Sequence, residues 1–368
     1  MREGLPDQGF GSRRAVILGR RLAKLLRAAA LAGLAVGGTA APPAVADEPH
    51  LPAAPPPVAP LRRLPNGQIE VINPATAART GRPLCDRGAL CVGRHQRYHT
   101  LGAALAVAHA GATIELVAGT YRESALLNVK NLTLRGVAGR PHIDCAGIVL
   151  AGDRACLLVG APGITLDNLE VSGNGAATSG GGACIANEPG LGFHLHGIIC
   201  HGAMNGVVAD GGDLVIEDSE FYDNGFTAGA SNAAFTGGCL VTIRGTIFRD
   251  ARRGDEVLSR CLTTNISDST VRSSRGRTDL DLPEGGDTVI YRSTLEKREG
   301  AAGTDILRFG SEGCRHPGGV LLKDVRVVTS MTDAAIRNFD TCADHAIVLD
   351  HVSFAGPPVK WFGYILRR

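Results

Sequence analysis

The sequence predicts an all-β chain: a right-handed parallel β-helix of about nine to ten coils with a short helix capping its N-terminal end. Four observations carry this. The segments I-T-L-D-N-L-E-V (164–171), L-V-I-E-D-S-E-F (214–221), V-T-I-R-G-T-I-F (241–248), T-N-I-S-D-S-T-V (264–271), V-L-L-K-D-V-R-V (320–327) and I-V-L-D-H-V-S-F (347–354) superimpose as one repeat. An aliphatic residue recurs at Leu166, Leu195, Ile216, Ile243, Ile266, Ile290, Leu322 and Leu349, at intervals of 21 to 32 residues, the period of a solenoid. Within each repeat the apolar positions alternate as in strands, with Gly, Asp and Asn between the runs. Finally, 49 glycines and 4% aromatics suit a stack of tight coils. One coil cannot bury its apolar face, whereas stacked coils share one core of aliphatic ladders.

Residues 1–46 carry seven basic and two acidic residues, an apolar run from about Leu25 to Val36, and the small-residue site Ala44-Val45-Ala46. These are the marks of an export signal. Ser12-Arg13-Arg14-Ala15-Val16-Ile17-Leu18 resembles a twin-arginine signal, and an ordinary secretory signal fits as well. The remaining chain holds 31 basic against 34 acidic residues, so no basic patch for nucleic acid is implied. Residues 47–96 are a Pro/Ala-rich linker and extension, and the solenoid is expected over 97–356. The run from Leu101 to Ala110 has helix formers with an apolar face, a cover for the first coil. Residues 357–368, with Pro357-Pro358 and the only Trp, Trp361, are read as a cap or tail. A periplasmic or extracellular monomer is expected, with no membrane span in its mature form.

All ten cysteines follow the export segment, as in proteins of oxidising compartments. Cys156 and Cys184 occupy matching places one coil apart and are expected to stack. Cys239 with Cys261, Cys314 with Cys342, and Cys85 with Cys91 are the other candidate pairs, and Cys200 reads as a buried core thiol. A zinc pattern of paired cysteines with histidines is missing. His194, His196 and His201 read as exposed surface. Asp223-Asn224 and Arg249-Asp250 read as turn residues.

The densest charge lies in 255–286. Taking Val257, Leu280, Ile306 and Ile336 as the inward residues, alternation turns Glu256, Asp279 and Asp305 outward on successive coils. Leu258, Asp281, Leu307 and Arg337 then form the neighbouring outward column, with Arg260 just beyond. Carboxylates about 5 Å apart repel by about 3 kcal/mol at a surface-like dielectric. A Ca²⁺ ion on Asp279, Asp281 and Asp305, a raised carboxyl pKa, or pairing with Arg260 and Arg277 would relieve this. The same parts serve chemistry on uronates, which needs a cation or arginine on the sugar carboxylate and a base for the neighbouring proton.

T-L-G-A-A-L (100–105), A-G-T-Y (118–121), N-L-T-L-R-G (131–136) and R-P-H-I-D-C (140–145) resemble the opening of bacterial right-handed β-helix proteins of the pectate-lyase-like superfamily. The resemblance covers 97–356 and implies the fold. The superfamily includes polysaccharide lyases, hydrolases, epimerases and non-catalytic proteins. One branch is expected to carry G-H-x-x-K-S-R and E-I-D-L-P-N-G-G. Ser259, Arg260, Asp281, Leu282, Pro283, Gly285 and Gly286 match, while Asp255, Leu258 and Asp279 stand at the His, Lys and Glu positions.

Two functions follow as expectations. One is a lyase or epimerase on an acidic polysaccharide. In it, Arg260 is the base or carboxylate neutraliser, Asp279, Asp281 and Glu256 are the acid–base or cation-holding groups, and Arg277, Arg337 and Asp305 bind substrate. The other is a non-catalytic β-helix that binds glycan or has a structural role. Export is checked by N-terminal sequencing of protein recovered from periplasm or medium: the expected terminus lies near Asp47, and an intact Met1 refutes cleavage.

Overall fold

A computed structural model of the chain describes residues 84–173, 182–339 and 345–368, and an antiparallel ribbon of Leu61–Arg63 against Ile69–Val71. The expected export segment lies outside these residues. From Leu90 onward the strands pair in parallel with those of neighbouring coils, giving sheets of twelve, ten and ten strands. The first sheet begins at Leu90–Val92 and ends at Ile365–Arg367.

The aliphatic column is a true ladder. Leu166, Leu195, Ile216, Ile243, Ile266, Ile290, Leu322 and Leu349 pair residue to residue in the first sheet. None is more than 3% exposed. The second apolar column, Val171 through Phe354, pairs in the same way in the second sheet. Phe221 and Phe248 stack within it, ring centroids 5.2 Å apart.

A repeated corner joins these two sheets. Asn168, Asp218, Asp268, Arg292, Asp324 and His351 each adopt positive φ there, the left-handed turn for which Asp and Asn are suited. The following hydroxyls form a ladder of their own. Ser219 donates to the Glu217 carbonyl (2.7 Å) and accepts from the Ile198 amide of the preceding coil (3.0 Å). Thr246, Ser269 and Ser293 accept from Ser219, Thr246 and Ser269 in turn. Each buried amide at the corner therefore has a partner.

The capping helix is shorter than its apolar pattern suggests. α1 (Leu101–Leu105) has Thr100 as its cap, accepting from the Ala103 amide, and the Glu123 carboxylate accepts from the Leu101 and Gly102 amides. Beyond Ala106 the amides of Val107 and Ala108 bond only three residues back, and Gly111 reverses the chain at φ 79° into the strand Thr113–Val117.

Disulfides join Cys85 to Cys91, Cys145 to Cys156, Cys184 to Cys200, and Cys239 to Cys261. The first and last were expected. The Cys156–Cys184 pair and the free Cys200 thiol are corrected. Cys156 and Cys184 do lie level on adjacent coils, as the pairing of their neighbours shows. In a parallel ladder, however, side chains point the same way and do not converge, so each cysteine bonds elsewhere instead. Cys239 and Cys261 lie outside the regular strands, and their Cα atoms approach to 4.6 Å. Cys314 is also disulfide-bonded, while its expected partner Cys342 falls outside the described residues.

Ile243 is fully buried in the first ladder. Ile243→Ala is expected to cost about 2–5 kcal/mol in urea unfolding; a loss below 1 kcal/mol would place the residue outside a packed core.

Candidate functional site on the third sheet

Five consecutive strands of the third sheet hold the charged segment: β1 (Ser231–Thr236), β2 (Asp255–Ser259), β3 (Leu280–Leu282), β4 (Asp305–Phe309) and β5 (Ala335–Asn338). The inward column is Ala233, Val257, Leu280, Leu307 and Ile336. The outward column is Ala234, Leu258, Asp281, Arg308 and Arg337. A register shift between Asp305 and Leu307 moves β4 by one residue relative to simple alternation. Leu307, expected outside, is therefore inside, and Arg308 takes its place.

Glu256 and Asp279 are also corrected: both are fully buried and do not stack on the outer face. The amides of Glu256 and Val257, consecutive residues, both bond to the next coil, at Thr278 and Asp279. A regular strand alternates these directions, so the chain is turning a corner here and Glu256 goes to the interior with Val257. Gly254 precedes it because a Cβ there would meet the Ala230 carbonyl oxygen at 1.5 Å.

The interior corner is a polar ladder. The Glu256 carboxyl accepts from the Ala251 amide (2.9 Å) and from Asn232 Nδ2. Asn232 in turn accepts from Asn224 Nδ2 (2.9 Å). On the next coil, Lys297 Nζ donates to Asp279 Oδ1 (3.2 Å) and to the Arg277 carbonyl (2.8 Å), with Lys297 and Asp279 wholly enclosed. Burial raises the Glu256 carboxyl well above its ordinary range. Burial likewise pushes Asp279 up to about 8, outweighing the Lys297 ammonium beside it.

The outer face solves the same problem with arginine. Asp281 is 3% exposed and lies between Arg277 and Arg308, its Oδ2 3.4 Å from a guanidinium nitrogen of each. Its Oδ1 is buried without a hydrogen bond among the described residues. Burial and then Asp255 raise its carboxyl to about 7, against the two arginines. Arg277 grips Asp255 with two bonds (3.0 and 2.6 Å), and Arg337 holds Asp305 at 2.5 Å. Arg260 grips Glu312 (2.8 and 3.1 Å) and lies 3.7 Å from Glu284, which Arg315 also reaches at 3.1 Å. Arg260 holds the Glu312 carboxyl below its ordinary range.

The predicted residues thus divide. Asp281, Arg277, Arg260, Arg337 and Asp305 share the outer face, while Glu256 and Asp279 belong to the interior. A Ca²⁺ ion needs oxygens converging on one point. Asp279 faces inward and Asp281 and Asp305 are engaged by arginines, so these three carboxylates do not form that cage. Arg308, Asp255, Glu284 and Glu312 were missed. The signal for Arg308 lay in aligning L-D-L (280–282) with L-R-F (307–309) from their shared apolar ends, which makes Leu307 and not Ile306 the counterpart of Leu280.

No family model and no curated protein matches the chain. Among solved structures it is similar to a pectate lyase, Pel9A (13% identity, TM-score 0.49), over 70% of this chain and 72% of that one. It is similar to the pectin methylesterase of Aspergillus niger (14%, TM-score 0.31), over 77% and 86%. It is also similar to a GH136 lacto-N-biosidase of Eubacterium ramulus (10%, TM-score 0.37), over 79% and 69%. At these identities no residue of a site is carried across.

Asp279 and Asp281 keep their protons in the folded chain at pH values where the unfolded chain has released them. Each therefore contributes stability that is complete below about pH 4 and is lost as pH rises through about 8 for Asp279 and about 7 for Asp281. Asp279→Asn and Asp281→Asn, neutral at every pH, should gain on the parent chain between pH 5 and 7. The slope is at most about 1.4 kcal/mol per pH unit in urea unfolding. Parallel pH profiles for parent and Asp279→Asn would instead show an ionised Asp279 paired with Lys297.

Proposed function

We propose that the chain is an exported, carbohydrate-active β-helix protein that takes an acidic, uronate-containing polysaccharide along the outer face of the third sheet. In this reading Asp281 is the proton-transfer group of an elimination or epimerisation. The observation that carries it is Asp281 itself: a carboxyl titrating near neutrality between two guanidiniums, with one oxygen lacking a partner. A general base needs such a pKa, and perturbed carboxyls of this kind mark functional sites.

The arginines supply the other half of the chemistry. Guanidinium forks match carboxylates, and Arg277, Arg308 and Arg337 remain partly open to solvent while held by Asp255, Asp281 and Asp305. A uronate carboxylate competing for Arg308 draws that guanidinium from Asp281. This neutralises the sugar carboxylate and uncovers the base in one movement. Asp281 then takes the proton on the carbon beside the carboxylate. Departure of the oxygen on the next carbon, which takes a proton from water as its bond breaks, gives elimination; delivery of a proton from water to the opposite face gives epimerisation, and in both cases Asp281 then releases its proton to solvent. Arg260, in its two-bonded pair with Glu312, stays a cation and acts as a carboxylate binder, not as the base.

A second reading, glycan binding without catalysis, is favoured by the enclosure of Glu256 and Asp279 and by the small exposure of Asp281.

A screen of polyuronides for the ultraviolet absorbance of unsaturated products and for inverted uronates, with binding measured in parallel, separates the readings. Catalysis is expected to vanish in Asp281→Asn with binding retained, and Arg308→Ala should weaken binding at least tenfold. Binding without product favours the second reading, and neither binding nor product from any polyuronide overturns the uronate reading.

A further inference from the structure

The second sheet carries a group of side chains that the uronate reading does not use. Its strands His142–Asp144, Glu170–Ser172 and Ile199–His201 lie on three successive coils and pair in parallel. The inward positions are Ile143, Val171 and Cys200, all fully buried, so the residues on either side project outward. His142 and Glu170 are register partners in one outward column, and Ser172 and His201 are partners in the next. The diagonal between columns brings His142, Glu170 and His201 together.

One ligand-capable atom from each lies within 4.8 Å of the other two. His201 Nε2 is 3.2 Å from Glu170 Oε1. A tetrahedral zinc ion with bonds of about 2.0–2.1 Å holds its ligand atoms roughly 3.3 Å apart, so this pair already has the required spacing. The third ligand atom, on His142, lies within 4.8 Å of both.

The surroundings hold these groups in place. The ring of His201 stacks on Tyr222, centroids 5.0 Å apart, and Arg249 lies 4.1 Å over the other side of this aromatic stack at the Tyr222 ring. His142 Nε2 meets the Ser172 hydroxyl at 2.7 Å, and that hydroxyl reaches Asp144 at 3.3 Å. Cys200, beside His201 in sequence, is tied to Cys184, and Cys145, beside Asp144, is tied to Cys156. The backbones bearing the group are therefore cross-linked to the coil interior. The three residues are half-buried, supported from below and open on the outer side.

We propose that His142, Glu170 and His201 form a site for a divalent transition metal of the zinc class, with three protein ligands and a fourth position open to water or a ligand oxygen. Two imidazoles and one carboxylate select such a metal over calcium, which takes oxygen donors. Bound there, the ion ties three successive coils together and presents a Lewis acid at the surface of the second sheet.

The test is calorimetric titration of the metal-stripped chain with Zn²⁺ alone and Ca²⁺ alone at neutral pH, with far-UV circular dichroism confirming the fold of each variant. One Zn²⁺ per chain is expected, no competition by Ca²⁺ at equal concentration, and a Tm that rises with Zn²⁺. Glu170→Gln and His201→Ala should each weaken binding at least tenfold. His196→Ala, which removes the neighbouring surface pair with Asp167 (2.8 Å), should leave it unchanged. Absence of Zn²⁺ binding overturns the proposal. So does binding that survives in both Glu170→Gln and His201→Ala, or that falls equally in His196→Ala.

Discussion

Each coil of this chain satisfies its backbone polar groups through the coils above and below it, and the rest of the structure follows from that constraint. A parallel stack cannot change its cross-section without orphaning an amide, so whatever occupies one position on one coil has a counterpart on the next. The aliphatic ladder from Leu166 to Leu349 is the apolar consequence. The hydroxyl ladder of Ser219, Thr246, Ser269 and Ser293 is the polar one, each side chain closing a corner amide of the preceding coil.

Stacking also forces like charges together, and the third sheet answers this differently on its two sides. Inside the corner there is no water to screen a carboxylate. Glu256 and Asp279 rest on protonation, on Asn232 and the Ala251 amide, and on the enclosed Lys297. Outside, where guanidiniums can keep part of their hydration, Asp255, Asp281 and Asp305 are covered by Arg277, Arg308 and Arg337. Asp281 is the intermediate case, nearly buried on the outer face with long contacts and an unpartnered oxygen. Asp279 Oδ2 is likewise buried without a hydrogen bond among the described residues, but Asp279 faces the interior; on the outer face the imbalance sets Asp281 apart from Asp255 and Asp305 and makes it the focus of the proposed chemistry.

The candidate site was legible in part. Asp281 and Arg337 follow from strand alternation, because each directly follows an inward residue, Leu280 and Ile336, that the sequence identifies correctly. Glu256, Asp279 and Arg308 do not, because alternation fails at a corner and at a register shift, and a single residue of slip exchanges inside for outside. The His142, Glu170 and His201 group was invisible for a different reason. These residues are 28 and 31 positions apart, share no motif, and meet only because the coil lengths between them bring two outward columns into diagonal contact.

The sequence by itself determined that the chain is a parallel solenoid. It also determined which residues form its two apolar ladders and where the corners carry Asp, Asn or Gly, because periodicity records the requirement that equivalent positions stack. Which cysteines bond, which carboxylates lie inside, and which arginines cover Asp281 were decided only by the tertiary structure. Those outcomes depend on the direction of individual Cα–Cβ bonds at corners and bulges, where hydrogen bonding to the neighbouring coil overrides the local alternation that a sequence displays.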